Sequence, residues 1–394
     1  MAAEGILANL LLGTLFVWSV LRNPLLALFP AWTEGMLSVI FGIHNLFTCA
    51  GILLGGRLCA RFPTRRIFVL FTVLVCVGLT GFAFLPVDRP GLSYVMAFVL
   101  FCCFAAVGIG VGISVVQSTT IPWFPNNSGA ISGALYMALG VSSVFLAAIA
   151  QKLLPLVGVR LVMPVFAGIV LLVSLAILSD RKSVTAPPLP ARPVAGENEE
   201  PAKEDGVRPG QMLKTPLFWI LVIWNIGLRT AGLILLDHAA SLAAAYGGLT
   251  ITAMLVAPAN GLGSMSVGVA LDRLGSRRIL RYDAVLMILA GLLLVSGVSF
   301  SRYILIFVGL LLGGFAYGGS TSSYTATVKN RFGSRWYSQN FAVSNLAMGC
   351  AALLESTSGS VLDASGGYRM VMLMVLCLAC LSMIFSLLAK RTGL

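Results

Sequence analysis

Long apolar runs alternate with short polar stretches along almost the whole chain. Each run is close to the ~20 residues that an α-helix needs to cross a bilayer. Because unpaired backbone N–H and C=O groups are costly in lipid, we expect every run to be helical. The pattern predicts an all-α membrane protein with twelve spans, at 6–29, 36–58, 67–86, 92–118, 128–154, 161–179, 216–244, 249–271, 279–299, 303–326, 338–361 and 369–389.

One longer polar stretch, Asp180–Lys214, separates the sixth run from the seventh. It contains six prolines and the mixed-charge run Glu197–Asp205, a composition that disfavours a packed core. We therefore expect an N-terminal six-helix bundle at 1–179, a cytoplasmic linker at 180–214 and a C-terminal six-helix bundle at 215–394. The linker is interpreted as a tether, and a regulatory docking role is the alternative.

Composition supports lipid as the main solvent. Charged residues make up 10% of the chain and hydrophobic residues 58%, and the mean hydropathy is +0.96, whereas soluble proteins carry about 25% charged residues. The net charge of +12 is interpreted as topology rather than nucleic-acid binding, because Lys and Arg gather in alternate loops. The bias predicts a multi-pass protein of a bacterial cytoplasmic membrane with both termini in the cytoplasm.

The residue types that carry most enzyme chemistry are scarce. The chain has only two His, and all eight Cys lie in or beside apolar runs, including the pair Cys377 and Cys380. Cysteines in such places act mainly as small packing residues. We expect no metal, no cofactor and no enzymatic activity.

A basic loop motif occurs twice, 212 residues apart (268 minus 56), each time between two apolar runs. Repeated halves are typical of secondary transporters, in which two bundles rock about a site near the midplane. The loops are therefore candidate gates. The residues concerned are Gly56, Arg61, Arg65 and Arg66 in the first copy, and Gly268, Asp272, Arg273, Gly275, Arg277 and Arg278 in the second.

The repeated motif resembles the signature of the major facilitator superfamily between helices two and three and its echo between helices eight and nine. The second copy fits the usual order of Gly, Asp-Arg, Gly and paired basic residues. The first departs from it, with Ala60 in place of the Asp and Pro63 in place of the Gly. In the superfamily that Asp helps to latch the outward-facing state. The resemblance implies the major facilitator fold, with two six-helix bundles in a monomer.

A narrower resemblance concerns the oxalate/formate antiporter family, related to monocarboxylate transporters. It is carried by Gly13-x-x-Phe16-x-Trp18-Ser19, Trp123-Phe124-Pro125-Asn126-Asn127-x-Gly129, Asn260-Gly261-x-Gly263 and Asn340-Phe341 followed by Ala347-x-Gly349. Two cations that the family's oxalate carriers use are missing, since Ser264 and Met348 take their places. A small dicarboxylate is therefore not the expected substrate, although the resemblance still implies an organic acid.

Ionisable residues inside apolar runs are costly and so are candidates for function. Arg229 and Arg22 are candidate anion-binding residues, with Trp18 on the helical face of Arg22; a structural ion pair for Arg229 and snorkelling for Arg22 are the alternatives. Asp237 and Glu355 are candidates for proton coupling. Further substrate-binding candidates, equally explicable as helix-packing residues, are Tyr136, Asn260, Ser264, Tyr317, Tyr324 and Met348.

Together these features predict a secondary active transporter of a small organic solute, an organic monocarboxylate anion above all, working by alternating access. A proton or a counter-transported anion is the expected co-substrate. The lipid bilayer is expected to surround the protein, and nucleic acid is not expected to be a partner. Two alternatives stay open. One is an exporter of amphipathic or drug-like molecules. The other is a non-transporting membrane receptor, which the altered first motif would favour.

Overall fold

The computed structural model describes residues 2–13, 18–59, 61–120, 128–179, 206–249, 255–332, 340 and 343–389. Within these ranges the chain is helical, with no β-strand. The first half contains α1 (Ala2–Leu12), α2 (Trp18–Leu28), α3 (Glu34–Cys59), α4 (Thr64–Thr80), α5 (Pro90–Phe98), α6 (Val107–Thr120) and α7 (Ser128–Ser179). The second half contains α8 (Pro209–Met212), α9 (Pro216–Ala245), α10 (Val256–Leu274), α11 (Ser276–Ser299), α12 (Tyr303–Phe332), α13 (Leu346–Glu355), α14 (Ser358–Ser365) and α15 (Tyr368–Leu388).

Some of these helices join to make one crossing of the membrane, and one helix makes two crossings. A π-helical segment, Val99–Ala106, joins α5 to α6 in one rod. Within α7 the backbone leaves helical geometry at Gly158 (φ 72°, ψ 164°), so α7 makes two crossings. The pairs α1 and α2, and α13 and α14, each occupy one apolar run. Each half therefore crosses the membrane six times.

The surface of this bundle suits lipid rather than water. Eight helices of the described chain are long and apolar enough to span a membrane, judged by length and composition. Large apolar side chains project from them, including Leu172 at 69% exposure and Ile304 at 64%. The predicted all-α fold with twelve spans is confirmed.

The described part of the eighth span is the helix that begins at Val256, since residues 250–254 lie outside the described ranges. Pro258 lies in its first turn, where proline removes no helical hydrogen bond. The eleventh span is interrupted by a turn at Ser356 and Thr357, between α13 and α14. Hydropathy counts apolar side chains and does not record such a change of backbone direction.

The end of the linker is bound to the C-terminal half. The Val207 N–H donates to the Phe332 carbonyl (2.9 Å) and the Asn340 side chain donates to the Val207 carbonyl (3.0 Å). Met212, in the short helix α8, is completely buried. This part of the linker is therefore more than a tether; residues 180–205 lie outside the described ranges.

The helices have two ends, which face opposite sides of the membrane. We call the end that carries residues 61–63, Gly275 and 206–208 the linker face, and the end that carries 29–33, 85–89, 300–302 and 366–367 the far face. The two halves meet where α3 packs on α13 and α14, α2 on α9, and α7 on α10. Toward the far face, α3 and α14 are so close that a Cβ at Gly359 would lie 2.5 Å from the Glu34 carbonyl oxygen.

Candidate substrate site and the ion pairs beside it

Arg229 lies in the middle of α9, a helix that contacts both halves of the molecule. Its side chain is only 7% exposed. Nε is enclosed without a hydrogen-bond partner, and no carboxylate of the described residues pairs with the guanidinium group. A buried cation without a counter-charge is costly in a membrane. The positive charge of Arg229 therefore has no carboxylate to neutralise it among the described residues.

Asn225 lies one turn before Arg229 on the same face of α9, because residues four apart are neighbours on a helix. Its side chain is 1% exposed, yet neither Oδ1 nor Nδ2 has a hydrogen-bond partner among the described residues. Buried amides are nearly always hydrogen-bonded in native structures. The Asn225 amide and the Arg229 Nε–H thus have no hydrogen-bond partner among the described residues.

Aromatic residues from α12 border this set. Tyr317 and Tyr324 are buried and lie within electrostatic range of Arg229, as does Cys49 of α3. The Tyr324 hydroxyl donates to the Ser344 carbonyl (3.2 Å). Tyr136 of α7 is half-buried and lies near Tyr317. The structure thus places residues of both halves around Arg229.

The other predicted substrate residues have packing partners. Trp18 stacks on Phe101, with ring centroids 5.1 Å apart, inside the N-terminal bundle. Ser264 bonds Ser322 (Oγ–Oγ 2.6 Å) and so links α10 to α12. The backbone carbonyl oxygen of Asn260 packs closely against Gly318 of α12, since a Cβ added at Gly318 would lie 1.8 Å from that oxygen. Met348 is half-buried on α13.

Arg22 is fully buried and surrounded by carboxylates. Its Nε and Nη2 donate to Glu34 Oε2 (2.8 and 2.5 Å), and Nη2 also donates to the Glu34 carbonyl oxygen (3.0 Å). Nη1 donates to Ser38 Oγ (3.1 Å) and forms an ion pair with Asp237 Oδ2. Arg22 neither snorkels to headgroups nor remains available to an anionic solute.

Asp237 belongs to the second half of the chain and completes the cluster. It accepts a hydrogen bond from Ser38 Oγ (2.6 Å), and His238 Nε2 lies 3.4 Å from its Oδ2. His238 Nε2 also contacts Ser358 Oγ (2.9 Å). The carboxyl group of Glu355, fully buried on α13, lies beside Asp237. We call Arg22, Glu34, Ser38, Asp237 and Glu355 the far-face cluster.

Three residues of these sites are absent from the predicted set. Glu34 begins a helix and looks like an ordinary membrane-boundary residue, and Ser38 is a single hydroxyl in an apolar helix. Their spacing of four residues places them on one face, a signal that could have paired them. Asn225 could have been chosen for the same reason, because it lies four residues before Arg229.

The candidate gate residues lie at the linker face. Gly56, Arg61, Arg65 and Arg66 are exposed, as is Arg278, whereas Arg277 is half-buried. Gly275 separates α10 from α11 with φ 79° and ψ 152°, a region that is essentially restricted to glycine. At the equivalent place in the first copy, Pro63 has φ −57° and ψ 134°. The side chains of Asp272 and Arg273 lie outside the described part of the structure.

Comparison with known proteins gives a consistent result. The family model described as Major Facilitator Superfamily matches residues 6–354. The uncharacterized MFS-type transporter YhjX of Escherichia coli (strain K12) is 22% identical over 357 residues, which is 88% of this chain and 84% of that protein. The fold resembles the inward-open xylose transporter XylE from E. coli (TM-score 0.74, 14% identity, 100% of this chain and 96% of that chain). It also resembles an inward-facing bacterial homolog of the human lysosomal transporter Spinster (TM-score 0.72, 14% identity, 99% and 96%).

Proposed function

Because this chain belongs to the Major Facilitator Superfamily and is thus a secondary transporter, we propose that it carries a small organic monocarboxylate by alternating access. The observation that supports this substrate class is that Arg229 has no carboxylate partner among the described residues and lies beside Asn225, whose amide has no hydrogen-bond partner there. A guanidinium group presents a planar fork that matches a carboxylate. The amide can bond a second oxygen of the same solute.

The charge count favours a monoanion over a dianion. Among the residues that the structure describes, two buried arginines lie between the halves, and the carboxylates of Glu34 and Asp237 already neutralise Arg22. Ser264 and Met348 supply no further cation. One positive charge remains, at Arg229, and it balances one carboxylate. A second negative charge would be desolvated without a partner, which is strongly unfavourable in a membrane interior.

Alternating access requires the substrate site to be closed on one side of the membrane at a time, and the ion pairs of the far-face cluster close one side. The far-face cluster ties the two halves together on one side of Arg229. The exposed arginines Arg61, Arg65, Arg66 and Arg278 favour a cytoplasmic linker face under the positive-inside rule. We therefore propose an inward-facing conformation, in which the cluster closes the outer side. This state agrees with the conformation named for the matched XylE structure.

The resemblance to the oxalate/formate antiporter family stays a prediction at a finer level than the superfamily. It agrees with an organic-acid substrate and differs at the two missing cations. Export of amphipathic molecules and a receptor without transport are the competing outcomes. Exchange of labelled monocarboxylate, lowered intracellular dye, or neither would distinguish the three.

A ligand-stabilisation screen tests the substrate class. Purified protein is heated with a panel of mono- and dicarboxylates, sugars and cationic dyes, and the rise in the unfolding midpoint is recorded. We expect stabilisation by monocarboxylates, which Arg229→Gln abolishes. Arg278→Gln is the matched control, since it removes an exposed arginine. Equal stabilisation of the Arg229→Gln variant, or stabilisation only by neutral or cationic compounds, contradicts the proposal.

A further inference from the structure

The linker end, residues 207–212, is attached to the second half by its backbone and by a buried side chain. The Val207 N–H donates to the carbonyl of Phe332, the last residue of α12 (2.9 Å). The last carbonyls of a helix have no partner within the helix, so the linker supplies one here. The Val207 carbonyl accepts from Asn340 Nδ2 (3.0 Å), and Met212 is completely buried. The linker end is thus a packed part of the C-terminal bundle.

Asn340 continues this attachment toward the interior of the protein. Its side chain is completely buried. Its own carbonyl accepts a hydrogen bond from Ser344 Oγ (2.7 Å), one helical turn further on. The Ser344 carbonyl in turn accepts from the hydroxyl of Tyr324 on α12 (3.2 Å). Three hydrogen bonds in series therefore connect Val207 of the linker to Tyr324.

Tyr324 lies at the depth of the substrate site. The ring of Tyr317 packs on Gly232 of α9, where a Cβ would lie 2.2 Å from Tyr317 Cγ. Toward the linker face, Tyr324 lies seven residues from Tyr317 (324 minus 317), and Asn225 lies seven residues from Gly232 (232 minus 225). At 1.5 Å per residue both are about 10 Å from the contact, and a spacing of seven keeps the same helical face. Tyr324 is therefore level with Asn225, and Arg229 lies between Asn225 and Gly232.

We propose that the linker end positions Tyr324 for substrate binding, through Asn340 and Ser344. The inference rests on the substrate site proposed above and adds the linker to the parts of the chain that shape it. Asn340 and Ser344 are positioning residues, because they act on the solute only through Tyr324.

The physical reason is the fixed partner that the relay gives to a buried hydroxyl. A buried tyrosine O–H needs an acceptor, and the position of that acceptor decides where the ring can lie. The Ser344 carbonyl is fixed by Asn340, and the Asn340 side chain is fixed by Val207. When the linker end detaches, the acceptor can shift and the Tyr324 ring moves with it. The linker is also the covalent connection between the two halves, so a pull on it reaches the substrate site by this route.

A double-mutant cycle tests the relay without any solute. Asn340→Ala removes the donor to Val207, and Tyr324→Phe removes the donor to Ser344. Residues of one hydrogen-bond network have non-additive effects on stability, whereas independent residues have additive ones. We expect the fall in the unfolding midpoint of the double variant to be smaller than the sum of the two single falls. Additive falls overturn the proposal.

Binding of small carboxylates tests the effect on the site. Acetate, lactate, pyruvate and benzoate are the probes, and the rise of the unfolding midpoint with probe concentration gives the affinity. Val207→Pro loses the N–H that bonds Phe332. We expect this variant and Asn340→Ala to bind any stabilising probe about tenfold more weakly, the lower end of the loss seen when an orienting partner is removed at metal sites.

Two control variants and one contrary outcome make this measurement specific. Val207→Ala keeps the backbone N–H, and Asn330→Ala removes an exposed asparagine of α12; both should bind the probe as the unmodified protein does. A purely structural relay lowers the midpoint of Asn340→Ala but leaves its affinity for the probe unchanged. That result overturns the proposal.

The unmodified protein provides a test that does not depend on a variant that folds. If attachment of the linker end strengthens binding of a solute, the bound solute must strengthen attachment by the same factor. A probe that raises the midpoint should therefore slow hydrogen–deuterium exchange of the amides at 207–213, measured by peptide mass spectrometry. Unchanged exchange overturns the proposal. A screen in which no monocarboxylate binds contradicts the proposed function instead, and the double-mutant cycle then still decides this inference.

Discussion

The Arg22 guanidinium group and the Asp237 carboxylate form a fully buried ion pair between the first and the second half of the chain. Ser38 strengthens this link, because it accepts from Arg22 (3.1 Å) and donates to Asp237 (2.6 Å). Sequence patterns place these three residues on three different spans. These residues therefore connect the two bundles at the far face instead of facing solvent there.

Removing one member of this pair should cost more than removing both. Arg22→Gln leaves the Asp237 carboxylate buried without its cation, a change that typically costs about 3–5 kcal/mol. Replacing both residues, as in Arg22→Met with Asp237→Leu, also removes the buried Asp237 charge and should cost less. Glu34, with 24% of its side chain exposed, loses its cation in both variants, so its effect cancels in the comparison. Thermal unfolding of the purified variants in one detergent measures the difference. A double variant less stable than Arg22→Gln would show that the residues do not act as a pair.

Gly42 should control closure of the far face. A Cβ at this position would lie 2.5 Å from the Ala352 carbonyl oxygen and 2.8 Å from Glu355 Oε2, so Gly42→Ala must push α3 away from α13. Overpacking of this kind costs about 1–3 kcal/mol. We expect the closed state to lose population and Cys49, now 3% exposed, to react faster with a water-soluble maleimide.

Gly56→Ala provides the control for that variant, because a Cβ at Gly56 meets nothing within 4 Å. Peptide mass spectrometry separates the labelling of Cys49 from that of the exposed cysteines. Equal Cys49 labelling rates in the Gly42→Ala and Gly56→Ala variants would mean that the contact between α3 and α13 does not limit opening.

The second copy of the basic motif should be sensitive at Gly275 and tolerant at Gly268. Gly275→Ala forces a side chain into a backbone conformation that costs about 1–3 kcal/mol for residues other than glycine. Gly268 lies inside α10 with open space around it, and Gly→Ala within a helix is stabilising by about 0.5–1 kcal/mol. Unfolding midpoints of the two variants provide the comparison. Similar midpoints would contradict the requirement for glycine at position 275.

Hydropathy predicted the spans well because side-chain polarity is a local property that lipid selects directly. It performed less well where backbone geometry decides, as at the turn after Glu355. The repeated motif likewise predicted two related halves. It did not indicate that Pro63 and Gly275 would break the chain with different backbone angles.

The candidate sites show the same division. We chose Arg22, Arg229, Asp237 and Glu355 from the sequence because an ionisable side chain is energetically costly inside a membrane span. That energetic cost does not show which charges neutralise one another. Arg22 and Arg229 look alike in sequence, yet within the described part of the chain Arg22 has carboxylate partners and Arg229 has none.

The sequence by itself determined that this protein is a lipid-embedded helical chain of two related halves, because apolar run length and the repeated basic motif act locally. Only the tertiary structure decided that Arg22 meets Asp237 and that no carboxylate of the described residues pairs with Arg229. Those pairings join residues from distant spans, and their energies depend on separation and burial, which no linear pattern encodes.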